Sequence, residues 1–155
     1  MLAGIAVARG DWQSTRWGMS ADQLRATNPH LQEPSDAERS SQTGAMGTPL
    51  LKGVHSMGGK DFVSWFYFRS GSLARIRLDA IDKNLGHSIL SDLRTMYGDP
   101  LKEVNVPIQS CDRFDVFWLD RKGRNAIRFD AAACAEERHK WTNRASIYYE
   151  PIPAE

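Results

Sequence analysis

Residues 111–134 read CDRFDVFWLDRKGRNAIRFDAAAC, two alternating apolar runs on either side of a basic turn. Opposite residues of a hairpin have position numbers with a constant sum, and with Lys122-Gly123 at the turn that sum is 245. Trp118 then faces Ile127, Val116 faces Phe129 and Phe114 faces Ala131, a continuous apolar surface of the kind a sheet turns toward its core. A slip of one residue destroys the match. The same sum sets Cys111 against Cys134. Directly opposed strand residues lie about 4.5 to 5.5 Å apart at Cα, within disulfide reach, so the register predicts a bond between them. The alternative is two unrelated buried thiols, because Ala131-Ala132-Ala133 is weak strand sequence and the register also opposes Asp115 to Asp130.

Upstream, residues 50–80 alternate in the same way and are broken at Met57-Gly58-Gly59-Lys60 and Arg69-Ser70-Gly71-Ser72, which predicts a three-stranded meander. Placing Ser70-Gly71 at the turn gives a sum of 141. Trp65 then pairs with Ile76, Val63 with Leu78 and Tyr67 with Ala74 on the core side. The outer side carries Phe66 opposite Arg75, Phe68 opposite Leu73 and Ser64 opposite Arg77. In the second hairpin Phe117 stands opposite Arg128, also outside. An aromatic ring next to an arginine is a common pairing in binding hot spots. Phe66, Arg75, Arg77, Phe117 and Arg128 are therefore the candidate binding residues, for a protein or peptide partner. The alternatives are that each arginine only shields a ring from water, or that residues 29–49 cover the face.

Helical signals flank the strands. Ser20 and Gln23 form a capping box in S-A-D-Q, opening a short helix that carries Leu24 and ends by Asn28, before Pro29. In residues 85–97, Leu85, Ile89, Leu93 and Tyr97 fall on one stripe with Met96 beside it, and Gly98 and Pro100 supply the stop. Ser146-Ile147-Tyr148-Tyr149 reads as a last strand. Residues 29–49 show no apolar period and read as a mobile loop, a lid or an insertion. These signals predict one α+β domain over residues 11–155, built of two helix-plus-antiparallel-meander halves with the helices packed on one face of the sheet.

Composition narrows the functions available. The chain has 155 residues, 41% of them hydrophobic, and a net charge of +1. That balance gives no strong field to recruit nucleic acid or an anionic membrane, and no apolar run approaches the roughly 20 residues of a membrane span. His30, His55, His87 and His139 lack the spacing of metal ligands, and Gly53, Gly58 and Gly59 do not build a phosphate loop. No G-x-S-x-G is present. Neither metal nor cofactor is expected. Distant pairs such as His55 and Asp61 leave open an alternative, a small hydrolase or ligand-binding enzyme with its site under residues 29–49. Residues 1–10, MLAGIAVARG, are a flexible segment or a signal-peptide remnant: Ala6-Val7-Ala8 resembles a cleavage site, although the basic n-region is missing. With a disulfide this points to the periplasm or secretion; the alternative is a cytoplasmic partner protein with reduced cysteines.

A capped helix opening with W-G-M-S at Trp17 to Ser20, a meander, a helix ending in Y-G-D-P at Tyr97 to Pro100 and a further meander resemble the helix-plus-sheet repeat of the β-lactamase inhibitor proteins. The same order resembles the small lipoprotein of the outer-membrane β-barrel assembly machine. The resemblance implies a non-enzymatic protein whose open sheet face contacts a partner protein. It carries no binding residue onto a numbered position of this chain.

Overall fold

The computed structural model describes residues 15–108, 111–134 and 143–153, so the expectation for residues 1–10 lies outside the described residues. Among the described residues three helices, α1 (Ala21–Thr27), α2 (Asp36–Gln42) and α3 (Gly86–Tyr97), accompany seven strands: β1 (Thr48–Met57), β2 (Lys60–Arg69), β3 (Ser72–Ala80), β4 (Lys102–Ile108), β5 (Cys111–Asp120), β6 (Asn125–Cys134) and β7 (Arg144–Pro151). The strands form one antiparallel sheet in the order β1-β2-β3-β7-β6-β5-β4, an α+β architecture. The last strand is thus the seam, pairing with both β3 and β6.

The β5–β6 hairpin keeps the sum of 245 along its whole length, and Cys111 and Cys134 are disulfide-bonded. Across the seam the inward residues line up in rows. Leu51, Phe66, Ile76, Tyr149, Ile127 and Trp118 form one, and Ser64, Leu78, Ile147, Phe129 and Val116 the next. Leu24 of α1 and Ile89, Leu90 and Leu93 of α3 pack on these rows in a single core. Burying that many large apolar side chains, each contributing about 1.5 to 3 kcal/mol, is what holds the two helices to the sheet.

The turn segments dock the helices. Gly18 donates its N–H to the Leu73 carbonyl, and the Leu73 N–H returns to the Met19 carbonyl, fixing W-G-M-S against the start of β3. Trp17 Nε1 donates to Oδ1 of the buried Asn125 at 2.9 Å, and the Ser20–Gln23 capping box follows. At the other helix, Gly98 (φ 78°) ends α3 with its carbonyl accepting from Trp118 Nε1 at 2.9 Å, while the Tyr97 hydroxyl meets that of Tyr149.

The β2–β3 hairpin departs from its expected register. The sum of 141 holds only for Phe68 opposite Leu73 and Arg69 opposite Ser72; a bulge then makes it 142, so Phe66 faces Ile76, Trp65 faces Arg77 and Tyr67 faces Arg75. Ala74 is the additional residue. The physical reason lies in the side chains. The shift turns Phe62, Phe66 and Phe68 inward and Trp65 and Tyr67 outward. Outside, Trp65 Nε1 donates to Asp79 at 3.1 Å and the Tyr67 hydroxyl donates to Gln42 Oε1 at 2.9 Å. Inside, those polar atoms would need partners that a phenylalanine does not require.

Residues 29–49 are not without elements. They contain α2, opened by a second capping box between Ser35 and Glu38, and Gln32 bridges Lys52 at the edge of β1. The polar contacts of α2 run to Lys52 and Tyr67, whereas α1 and α3 pack in the core. The helices therefore do not all belong to one face. Strand β4, absent from the expected elements, is an exposed edge strand carrying Pro107, whose weak apolar pattern hides it.

Candidate binding face

On the side away from α1 and α3, one row of side chains crosses all seven strands: Lys52, Trp65, Arg77, Tyr148, Arg128, Phe117 and Lys102 are successive cross-strand partners. Cations and aromatic rings alternate along it without a break. Lys52 Nζ lies 5.5 Å from the Trp65 ring, and Arg128 lies 5.7 Å from both Tyr148 and Phe117. Tyr148 is the hub, since Arg75 and Arg77 also approach its ring, at 5.1 and 5.9 Å. Each such contact is worth about 0.5 to 1 kcal/mol at an exposed site.

The neighbouring row on β3, β7, β6 and β5 is Asp79, Ser146, Asp130 and Asp115. It anchors the arginines. Arg77 Nε reaches Asp79 at 2.7 Å and Arg128 Nε reaches Asp115 at 2.9 Å, while Ser146 Oγ donates to Asp79. On the opposite flank Arg75 Nε donates to Glu150 at 2.7 Å. Burial alone would push the Arg77 guanidinium down, but the bond to Asp79 and that carboxylate's charge override it and hold Arg77 above its ordinary value. The Asp115 bond likewise raises Arg128. Burial raises the Tyr67 hydroxyl above its ordinary value.

Arg75, Arg77, Phe117 and Arg128 lie on this face as expected, and all are half-buried. Phe66 does not: it is 4% exposed, inside the core opposite Ile76, because of the β2–β3 bulge. Trp65 takes the outer place, yet is only 8% exposed under Lys52 and its neighbours. Lys52 is itself bonded to Glu38 of α2 at 2.8 Å, so α2 holds down the β1 end of the row. Tyr148 and Lys102 complete the face. Alternation in Ser146-Ile147-Tyr148-Tyr149 marks Tyr148 as outward once Ile147 and Tyr149 are placed inside, but only the position of β7 at the seam sets it among three arginines.

Toward β4 the face opens into a hollow of about 440 Å³ over Ala126, bordered by Phe117, Leu119, Arg128 and Tyr148. A smaller hollow of about 250 Å³ at Val104, Val106, Arg113 and Asp115 continues along β4 and β5. A histidine–carboxylate pair does form, His87 Nε2 to Asp112 Oδ2 at 3.8 Å, between α3 and β5, with side chains 65% and 46% exposed. Among the described residues no three His, Cys, Asp or Glu side chains are grouped to hold a metal. Comparison of the chain with protein-family models, with curated proteins and with solved structures finds no match to any of them.

Proposed function

We propose that this protein is a non-enzymatic binding module that uses the cation–aromatic row, from Arg77 to Lys102, to hold a protein or peptide partner. The observation that carries the proposal is the unbroken alternation of cations and rings across the sheet. A core needs one face of a sheet, and here α1 and α3 cover that face. The opposite face requires only solubility, which scattered polar residues provide; rings held between fixed guanidiniums exceed that requirement. The resemblance to the β-lactamase inhibitor proteins and the outer-membrane assembly lipoprotein supports the same use of an open sheet face. The seam at β7, joining one helix-plus-meander unit to another, fits the two-half plan of that resemblance. Exposure to the periplasm or the cell exterior is supported by the Cys111–Cys134 bond.

Selection from a random-peptide display library tests the proposal. Peptides retained by the wild-type chain lose affinity about tenfold or more on Phe117→Ala or Tyr148→Ala, a hot-spot loss of about 1 to 2 kcal/mol. Retained peptides indifferent to both substitutions would refute it.

A further inference from the structure

The hollow over Ala126 has a chemistry that narrows the partner. Ala126 stands between Glu150 on β7 and Leu119 on β5, and its single methyl leaves a dip among longer side chains. One rim is apolar, with Phe117, Leu119 (39% exposed) and Leu101 (71% exposed). Arg75, Arg128 and Lys102 supply the cationic lining.

Both guanidiniums are held by one edge. Glu150 takes Nε and Nη2 of Arg75, and Asp115 takes Nε and Nη2 of Arg128, leaving Nη1 of each without a hydrogen-bond acceptor among the described residues. Lys102 makes no ion pair among the described residues, while its strand neighbour Glu103 is taken by Arg94. Three cations against the two carboxylates that hold the arginines leave a local balance of +1. That balance matches a single carboxylate rather than a dianionic phosphate.

Resting on the binding-face reading above, we infer that the hollow takes a peptide segment in which an aspartate or glutamate adjoins a large apolar residue. The carboxylate meets the free edges of Arg75 and Arg128 and the ammonium of Lys102. The apolar side chain lies over Ala126 against Phe117 and the two leucines. A hollow of about 440 Å³ falls in the range that accommodates a small ligand or a few side chains, about 300 to 1,000 Å³.

The test is a titration of the 15N-labelled full chain with three end-blocked hexapeptides: Gly-Ser-Asp-Phe-Ser-Gly, its Asn-Phe counterpart and its Asp-Ala counterpart. The Asp-Phe peptide is expected to shift the amides of Phe117, Ala126, Arg128 and Tyr148 saturably, at least tenfold more tightly than either counterpart. Lys102→Gln, at an exposed position, weakens the Asp-Phe peptide several-fold more than it weakens the Asn-Phe peptide. Equal binding of Asp-Phe and Asn-Phe peptides would overturn the carboxylate inference while leaving the binding face standing. Tighter binding of a phosphotyrosine counterpart would do the same. If none of the peptides shifts these amides, the inference fails; the binding face itself then falls only if display selection also returns no ligand sensitive to Phe117→Ala or Tyr148→Ala.

Discussion

Asp115 and Asp130 stand directly opposite each other on β5 and β6, and each turns its carboxylate to a different arginine. Arg128 Nε meets Asp115 at 2.9 Å, and Arg144 Nη2 meets Asp130 at 3.3 Å. Like charges directly opposed on a sheet are destabilising, so these arginines are what make the register tolerable. Arg128→Ala is expected to cost about 1 to 2 kcal/mol, with loss of the ion pair and the ring contacts added to the exposed repulsion. Adding Asp130→Asn to that variant recovers part of the loss. Urea unfolding of the two single variants and the double variant checks this; strictly additive effects would show that Arg128 does not offset the repulsion exerted by Asp130.

The bulge in the β2–β3 hairpin makes a sharp distinction between neighbours in sequence. Phe66→Ala is expected to cost about 3 to 5 kcal/mol, as a core truncation, and Phe117→Ala less than about 1. Trp65→Phe keeps the ring but removes the N–H that Asp79 accepts, costing about 0.5 to 1.5 kcal/mol. Denaturant midpoints for the three variants decide the matter. Comparable losses for Phe66→Ala and Phe117→Ala would contradict the register.

Cys111 and Cys134 close a loop with a sequence separation of 23. On the chain-entropy account a loop of this size stabilises the fold by roughly 3 kcal/mol. Iodoacetamide should label neither cysteine until reductant is added, and reduction should lower the unfolding free energy by roughly that amount. Two thiols labelled without reductant after oxidative expression would remove both the bond and the main support for export.

The tether of α2 to the sheet is pH-dependent with a definite sign. The Lys52 bond holds the Glu38 carboxyl below its ordinary value of 4.5. A carboxyl lowered by folding contributes stability above its unfolded value and loses it as pH falls through the lower folded value. Amide exchange in α2 should therefore accelerate as pH drops below about 4.5 relative to exchange in α3, after correction for intrinsic rates. Glu38→Gln abolishes that pH dependence. An unchanged profile in the variant would show that the tether does not hold α2.

Much of this fold is legible in the sequence. The β5–β6 register and its disulfide follow from matching Trp118, Val116 and Phe114 to their partners around the Lys122-Gly123 turn, because a slip of one residue would oppose all three to polar or outward residues. The first hairpin misleads because both registers place aromatic residues inside, and only the polar tips of Trp65 and Tyr67 distinguish them. Helix α2 is hidden because none of its residues is buried, so no apolar period marks it; its S-D-A-E capping box at Ser35 to Glu38 is the available signal. The row centred on Tyr148 depends on β7 lying between β3 and β6, a long-range pairing that no local pattern encodes.

The central claim, that the cation–aromatic face is the binding surface, is tested most directly by mapping a display-selected ligand onto the 15N-labelled chain. The account predicts amide shifts concentrated at Arg77, Tyr148, Arg128, Phe117 and Lys102, and an affinity of the folded chain lowered about tenfold or more by Tyr148→Ala. Shifts concentrated instead on α1 and α3, with Tyr148→Ala binding as tightly as the wild type, would contradict it.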